Sequence, residues 1–315
     1  MTFGQTFLVH PDLFPARVAG EPWGDVAASI AFAGGRYLVR GLSAPQLAVV
    51  RQRLGPMLDP PEAAGDGAVQ LDVLRADAAD FLHERPRHWE YTFDLDAQPA
   101  AVRVAGLRFV GRLDWRPRPA AAEAALRGAL WTSVGAGDEL PMVFENFLRL
   151  LAAYDLVARG GLLLHSAGIA IDGGALLFFG PSGAGKSTLA ALAAGEGRRV
   201  LSDDLNALVV AAGAAPMVEK VPFAGDLGGG PETLPALPLR GLCRLRQGES
   251  VAARALTPAA ALAALFAAAP FVNADPFRGP ALESSLLAIA GAVPVVELTF
   301  ARDSSFAAIV DAVSR

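Results

Sequence analysis

ALLFFGPSGAGKSTLAALAAGEG, residues 175–197, runs from an apolar stretch through a glycine-rich turn into an alanine-rich segment. Residues 175–179 suit a short buried strand, and STLAALAAGEG suits a helix ending near Gly195 or Gly197. Between them lies the full pattern G-x-x-x-x-G-K-[ST]. Gly180, Pro181, Ser182, Gly183, Ala184, Gly185, Lys186 and Ser187 fill it, with Thr188 next in line. Strand, turn and helix start are the setting this pattern requires to bind phosphate. The N–H groups of the loop and of the helix N-terminus face an anion, and the helix dipole adds to their pull. Lys186 reaches the β- and γ-phosphates of a nucleotide, and the Ser187 hydroxyl ligates Mg²⁺. ATP and Mg²⁺ are therefore the expected cofactors. A plain connecting turn would not need every position filled.

Working outward, RRVLSDDLNALVV (198–210) reads as a strand, Ser202, the pair Asp203-Asp204, and a second apolar stretch. Two adjacent carboxylates alone often cap a helix or face water. In α/β sheets, however, ligands collect beyond the carboxyl ends of strands. The strand after the P-loop helix therefore carries Asp203 and Asp204 toward the phosphates. One carboxylate can hold the metal and the other can accept a proton. No LSGGQ-like segment is present; DLGGG at 226–230 lacks the serine.

Together, LLLHSAGIAIDGGALLFFGPSGAGKSTLAALAAGEGRRVLSDDL (162–205) resembles the core of HPr kinase/phosphorylase and the HPr-kinase-like serine kinases. These share their nucleotide-binding design with ATP-dependent phosphoenolpyruvate carboxykinase. The matching features are His165, the turn Asp172-Gly173-Gly174, the loop 180–188 and Asp203-Asp204. PFAGD (222–226) and PLRGLCRL (238–245) extend the likeness to its kinase-like branch, which covers about half the chain. The resemblance implies an α/β P-loop kinase domain of the HPr kinase type, preceded by a smaller β-rich domain and α+β overall. It implies transfer of the γ-phosphoryl group of ATP to a hydroxyl, a serine in a protein or peptide, and a homo-oligomer. Asp203 becomes the proton acceptor, Asp204 and Ser187 the metal-side groups, and His165, Asp226 and Arg240 further active-site candidates. The bifunctional enzyme's glutamate–arginine signature ahead of glycines is absent in that form, so neither phosphorylase activity nor HPr as substrate is carried over. A small-molecule kinase and a nucleotide-binding regulatory module stay open as alternatives.

Composition agrees with a cytoplasmic enzyme. The chain has 315 residues, 53% hydrophobic and 19% charged, enough for two cores. A net charge of −5 gives no reason to expect nucleic-acid binding. Cys243 is the only cysteine, which excludes an intrachain disulfide and suggests a buried thiol. The N-terminus MTFGQTFLVHPDLF lacks the basic and apolar blocks of a secretion signal. TPAAALAALFAAAPF (257–271) is broken by Pro258 and Pro270 and reads as a packed helix capped by Thr257, not as a membrane span.

The first half carries no chemical motif. RYLVRGLSAPQLAVVRQRLGP (36–56) suggests a strand, then a helix capped by Ser43 and stopped at Gly55-Pro56. YTFDLD and AVRVAGLRFVGRL alternate as strands. ELPMVFENFLRLLAAYDLVARGG (139–161) has helical spacing of apolar residues and ends at Gly160-Gly161. The expected division is a 1–135 N-terminal α+β domain and a 136–315 catalytic domain that includes this helix. His10, His83 and His88 lack metal-ligand spacing, and Arg85, Arg87, Arg103, Arg108 and Arg112 read as solvated strand ends. The glycines 228–230 followed by Pro231 suggest a lid over bound nucleotide.

Overall fold

The computed structural model describes residues 20–78, 81, 93–116, 125–211, 213–223, 225, 227, 230 and 232–314. Among these it is a mixed α/β structure with two mixed sheets and six α-helices. They form two compact units. One takes the described residues up to Asp155 with Ala274–Phe277, and the other takes Leu156–Asn273 with those from Arg278 onward. His10, His83, His88, Arg85, Arg87, Asp226 and the proposed lid glycines Gly228 and Gly229 lie outside the described residues. No helix among the described residues is long and apolar enough to cross a membrane.

The first unit contains β1 (Glu21–Pro22), β2 (Val26–Phe32), β3 (Gly35–Leu42), α1 (Ala44–Leu54), β4 (Leu58–Asp59), β5 (Val69–Arg75), β6 (Phe93–Ala97), β7 (Ala101–Gly106), β8 (Phe109–Arg116), β9 (Ala125–Thr132) and most of α2 (Leu140–Ala158). Its nine strands form one sheet, β4-β2-β3-β5-β9-β8-β7-β6, with β1 on β5. The start of α1 is fixed by a reciprocal cap. Ser43 Oγ accepts from Gln46 N at 3.3 Å, and Gln46 Oε1 accepts from Ser43 N at 3.0 Å.

The division into units falls after Asp155, inside α2, rather than near 135. The reason is packing. Phe147 occupies space above the sheet that exists only because Gly111 and Gly128 have no side chain; a Cβ on Gly111 would lie 2.1 Å from the Phe147 ring. Leu151, one turn further on, covers Gly128 as well. Tyr37 donates to Asp155 at 3.0 Å, and Arg53 pairs with Glu145 at 2.5 Å.

The second unit contains β10 (Leu162–Ile171), β11 (Gly174–Phe179), α3 (Lys186–Gly195), β12 (Val200–Ser202), β13 (Leu205–Val209), β14 (Met217–Glu219), β15 (Leu237–Gln247), β16 (Ala252–Ala255), α4 (Pro258–Ala268), α5 (Gly279–Ala292), β17 (Val295–Phe300) and α6 (Phe306–Val313). β10 and β11 form a hairpin over Asp172-Gly173, where Gly173 supplies a φ of +80°. The sheet runs β11-β10-β13-β14-β15-β17-β16, and β11 also pairs in parallel with β15. Five strands therefore pair in a closed ring, with β17 and β16 continuing from β15 and β12 lying against β10.

On one side of this sheet, Leu189, Ala190 and Ala193 of α3 and Phe306 and Ile309 of α6 pack on Phe178, Cys243, Leu245 and Leu298. The Cys243 thiol is fully buried there, and burial pushes its pKa up. α4 begins at the expected cap, with Thr257 Oγ1 accepting from Ala260 N at 3.3 Å, and α4 and α5 pack on each other and on β10.

Gly168 faces Ser202 across the β10–β12 pairing. A Cβ there would lie 2.2 Å from Asn206 Oδ1, and Asn206 is fully buried. Gly168→Ala is expected to destabilise the protein by about 1–3 kcal/mol through overpacking. The measurement is the urea midpoint, with Ala170→Gly as the neighbouring control on the same strand.

Candidate functional site

The chain leaves β11 at Phe179 and turns through 180–185 before α3 begins at Lys186. Two features make glycine necessary at Gly185. Its φ is +106°, and a Cβ would lie 2.9 Å from the Phe300 ring at the end of β17. At Gly183 only the backbone matters, because φ is +77° and nothing lies within 4 Å of a built Cβ. Lys186 Nζ folds back to donate to Gly180 O at 3.0 Å and Pro181 O at 3.3 Å. Gln247 at the end of β15 donates to Gly183 O at 2.9 Å. Neighbouring strands thus brace the loop, while Ser182, Gly183 and Ser187 remain exposed.

The acidic pair follows β12 in a tight turn. Ser202 Oγ accepts from Asp204 N at 3.1 Å and from Leu205 N at 3.2 Å. Asp204 O accepts from Ser166 N of β10 at 3.0 Å. The Asn206 amide donates to Ser166 O at 2.8 Å and Ser166 Oγ at 3.1 Å, locking the turn to β10. Asp203 is buried, and its Oδ1 accepts from Leu227 N at 3.1 Å. Gly225 approaches so closely that a Cβ would lie 1.9 Å from that same oxygen. Asp204 is half-buried, with its Oδ1 3.7 Å from His165 Nε2.

His165, Lys186, Ser187, Thr188, Asp203 and Asp204 line one cleft of about 570 Å³, with Ser182, Gly183 and Gly185 on its rim. Burial lowers the pKa of Lys186, and Asp204 opposes that shift. Burial also lowers the His165 pKa; Lys186 adds to the effect and Asp204 works against it. The imidazole is therefore biased toward its neutral form, an acceptor or donor and not a fixed cation. The arrangement offers a cation, a helix N-terminus, a free hydroxyl and two carboxylates to one ligand. That is a set able to hold a phosphate chain and act on a nearby proton.

Gly180, Pro181 and Ala184 shape the loop without lining this cleft. Pro181 and Ala184 border a second cleft of about 550 Å³, which shares Ser182 and Gly183 with the first and is lined also by Arg244, Arg246 and Glu297. There Arg254 takes Glu297 at 2.8 Å, while Arg246 and Arg244 stand 3.6 and 3.9 Å from the same carboxylate. Their positive charge holds the Glu297 pKa below its usual value, led by the Arg254 hydrogen bond.

Arg240 is not brought to the cleft. β15 runs parallel to β11, so the start of β15 lies beside the start of β11, at the end away from the loop. Arg240 there donates to Gly173 O at 2.7 Å and clamps the hairpin turn. Asp226 lies outside the described residues. The sequence reading missed Arg302, which lines the cleft from the turn after β17. The available signal was the apolar run VVELTF followed by a charged turn, because β17 is parallel to β15 and ends on the loop side. No family model and no curated protein matches the chain.

Gly185→Ala is expected to destabilise the native state by about 1–3 kcal/mol, combining backbone strain with displacement of Phe300. Gly183→Ala carries backbone strain alone, about 1–2 kcal/mol. Guanidinium unfolding of the two variants should rank Gly185→Ala as the less stable. Equal or inverted losses would mean that Phe300 does not constrain the loop.

Proposed function

We propose that the second unit is an ATP-dependent kinase module of the HPr-kinase-like type, passing the γ-phosphoryl group to a hydroxyl, a serine of a protein or peptide. One observation carries this reading: Lys186 and Ser187 from the start of α3 and Asp203-Asp204 from the end of β12 converge on a single cleft. The likeness of residues 162–205 to that kinase family supports it, as does His165 beside Asp204. A protein or peptide acceptor, a homo-oligomeric state and a cytoplasmic location belong to the same proposal, carried by the family likeness of residues 162–205.

Phosphoryl transfer is mainly a matter of positioning and charge neutralisation. Lys186 and the loop N–H groups hold the phosphate chain and stabilise charge on the departing β-phosphate oxygen. Asp203, held by Leu227 N, orients the acceptor hydroxyl and takes its proton as the hydroxyl oxygen attacks the γ-phosphorus. His165, biased neutral, steadies the Asp204 carboxylate. Ser187 and Asp204 would hold Mg²⁺ together with phosphate oxygens. Among the described residues no group of three or more His, Cys, Asp or Glu could bind a metal unaided. That suits a cation bound through one or two carboxylates and the nucleotide. Bound Mg²⁺ supplies neutralisation of the phosphate charge.

Lys186→Ala should abolish both the thermal stabilisation by ATP with Mg²⁺ and transfer from labelled ATP. Asp203→Asn should keep nucleotide binding and lower transfer about 10²–10⁴-fold, because the amide cannot take the proton. Asp204→Asn should raise the Mg²⁺ requirement. Nucleotide binding without transfer to any protein, peptide or small-molecule hydroxyl would identify a regulatory module instead. Wild-type protein that gains no stability from any nucleotide with Mg²⁺ would refute the reading.

A further inference from the structure

Beyond Lys186, the cleft is lined by one more arginine or lysine, Arg302. Several other arginines in this unit have partners. Arg198 pairs with Asp172, Arg254 takes Glu297, and Arg240 donates to Gly173 O. Among the described residues the Arg302 guanidinium has neither an ion-pair partner nor a hydrogen-bond acceptor. It is exposed to solvent and lines the cleft.

The backbone under this side chain is tied down from both directions. Before it, Phe300 ends β17 in contact with the P-loop at Gly185. Around it, Ser304 N donates to Ala301 O at 3.1 Å and Ala301 N donates to Ser304 Oγ at 3.0 Å, closing a tight turn with Arg302 inside. After it, Ser305 caps α6. Glu196, from the end of α3, accepts from Phe306 N at 2.5 Å and Ala307 N at 3.2 Å. The turn is thus fastened to both ends of the P-loop helix. A solvated surface arginine needs no such seat.

Charge balance in the cleft points the same way. Lys186 shares the cleft with Asp203 and Asp204, and its ammonium already donates to Gly180 O and Pro181 O. A polyphosphate entering this space brings several negative charges, and the unpaired guanidinium there is placed to meet them with forked N–H donors.

We infer that Arg302 is a second phosphate-binding residue of the cleft, gripping the phosphate chain of the nucleotide whose other contacts come from Lys186 and the loop. This rests on the reading of the cleft as an ATP site and adds a residue to it. Calorimetric titration of ATP with Mg²⁺ and of adenosine into wild type, Arg302→Gln and Arg302→Lys tests it. Arg302→Gln should weaken ATP binding about tenfold or more, the loss of a charge-assisted contact to phosphate. Adenosine binding should not change, and Arg302→Lys should fall between, since it keeps the charge without the fork. Ser304→Ala, which retains Arg302 and loosens its turn, should weaken ATP binding in the same direction by a smaller factor. ATP binding by Arg302→Gln equal to wild type, or an equal loss for adenosine, overturns the inference while leaving the ATP reading intact. Wild type that binds no ATP overturns both.

Discussion

The buried Asn206 amide holds the second unit's chemistry in register. Its donors reach Ser166 on β10, and Ser202 beside it gathers the N–H groups of Asp204 and Leu205. That junction adds to the β10–β12 and β10–β13 pairings and to the Ser166 N–Asp204 O bond, which together set where the acidic turn stands relative to β10. Gly168 completes it by leaving room for the amide. The Asn206 N–H donors are paired, and breaking such buried hydrogen bonds is costly. The position of the two carboxylates therefore depends in part on a side chain that does not line the cleft.

The local features were readable in the amino-acid order. The Ser43 and Thr257 caps, the Asp172-Gly173 hairpin and the P-loop with its helix each depend on neighbours in sequence. The first unit's sheet was only partly legible. Alternation marks the strands but does not say that β3, β5 and β9 pair in parallel. Most of helix α2 clusters with the first unit, and apolar spacing reveals a packing face without naming its partner. Its partner was set by Gly111 and Gly128, whose role appears only when Phe147 lies over them.

The same limit explains which arginine lines the cleft. Arg240 lies close in sequence to a segment expected to carry catalysis, yet strand direction sends it to the opposite end of the sheet. Arg302 lies far from every motif, yet it reaches the cleft because β11, β15 and β17 run parallel and end on one side. Sequence distance is a poor guide where parallel strands bring remote chain segments to a common edge.

The closed ring of β11, β10, β13, β14 and β15 also governs when these strands can assemble. The β10–β11 hairpin needs only a two-residue turn, but the parallel pairing of β11 with β15 must wait for a segment that begins at Leu237. Contacts so distant in sequence are slow to form, because the intervening chain must first be ordered. During synthesis, the edge of β11 that later receives β15 stays open until that strand emerges. β11 is buried along its whole length in the finished molecule, so this unpaired stage exposes a short apolar edge ahead of the P-loop. A chain stopped before β15 would keep the loop sequence intact yet lack the strand that braces it, and would present that edge to other chains.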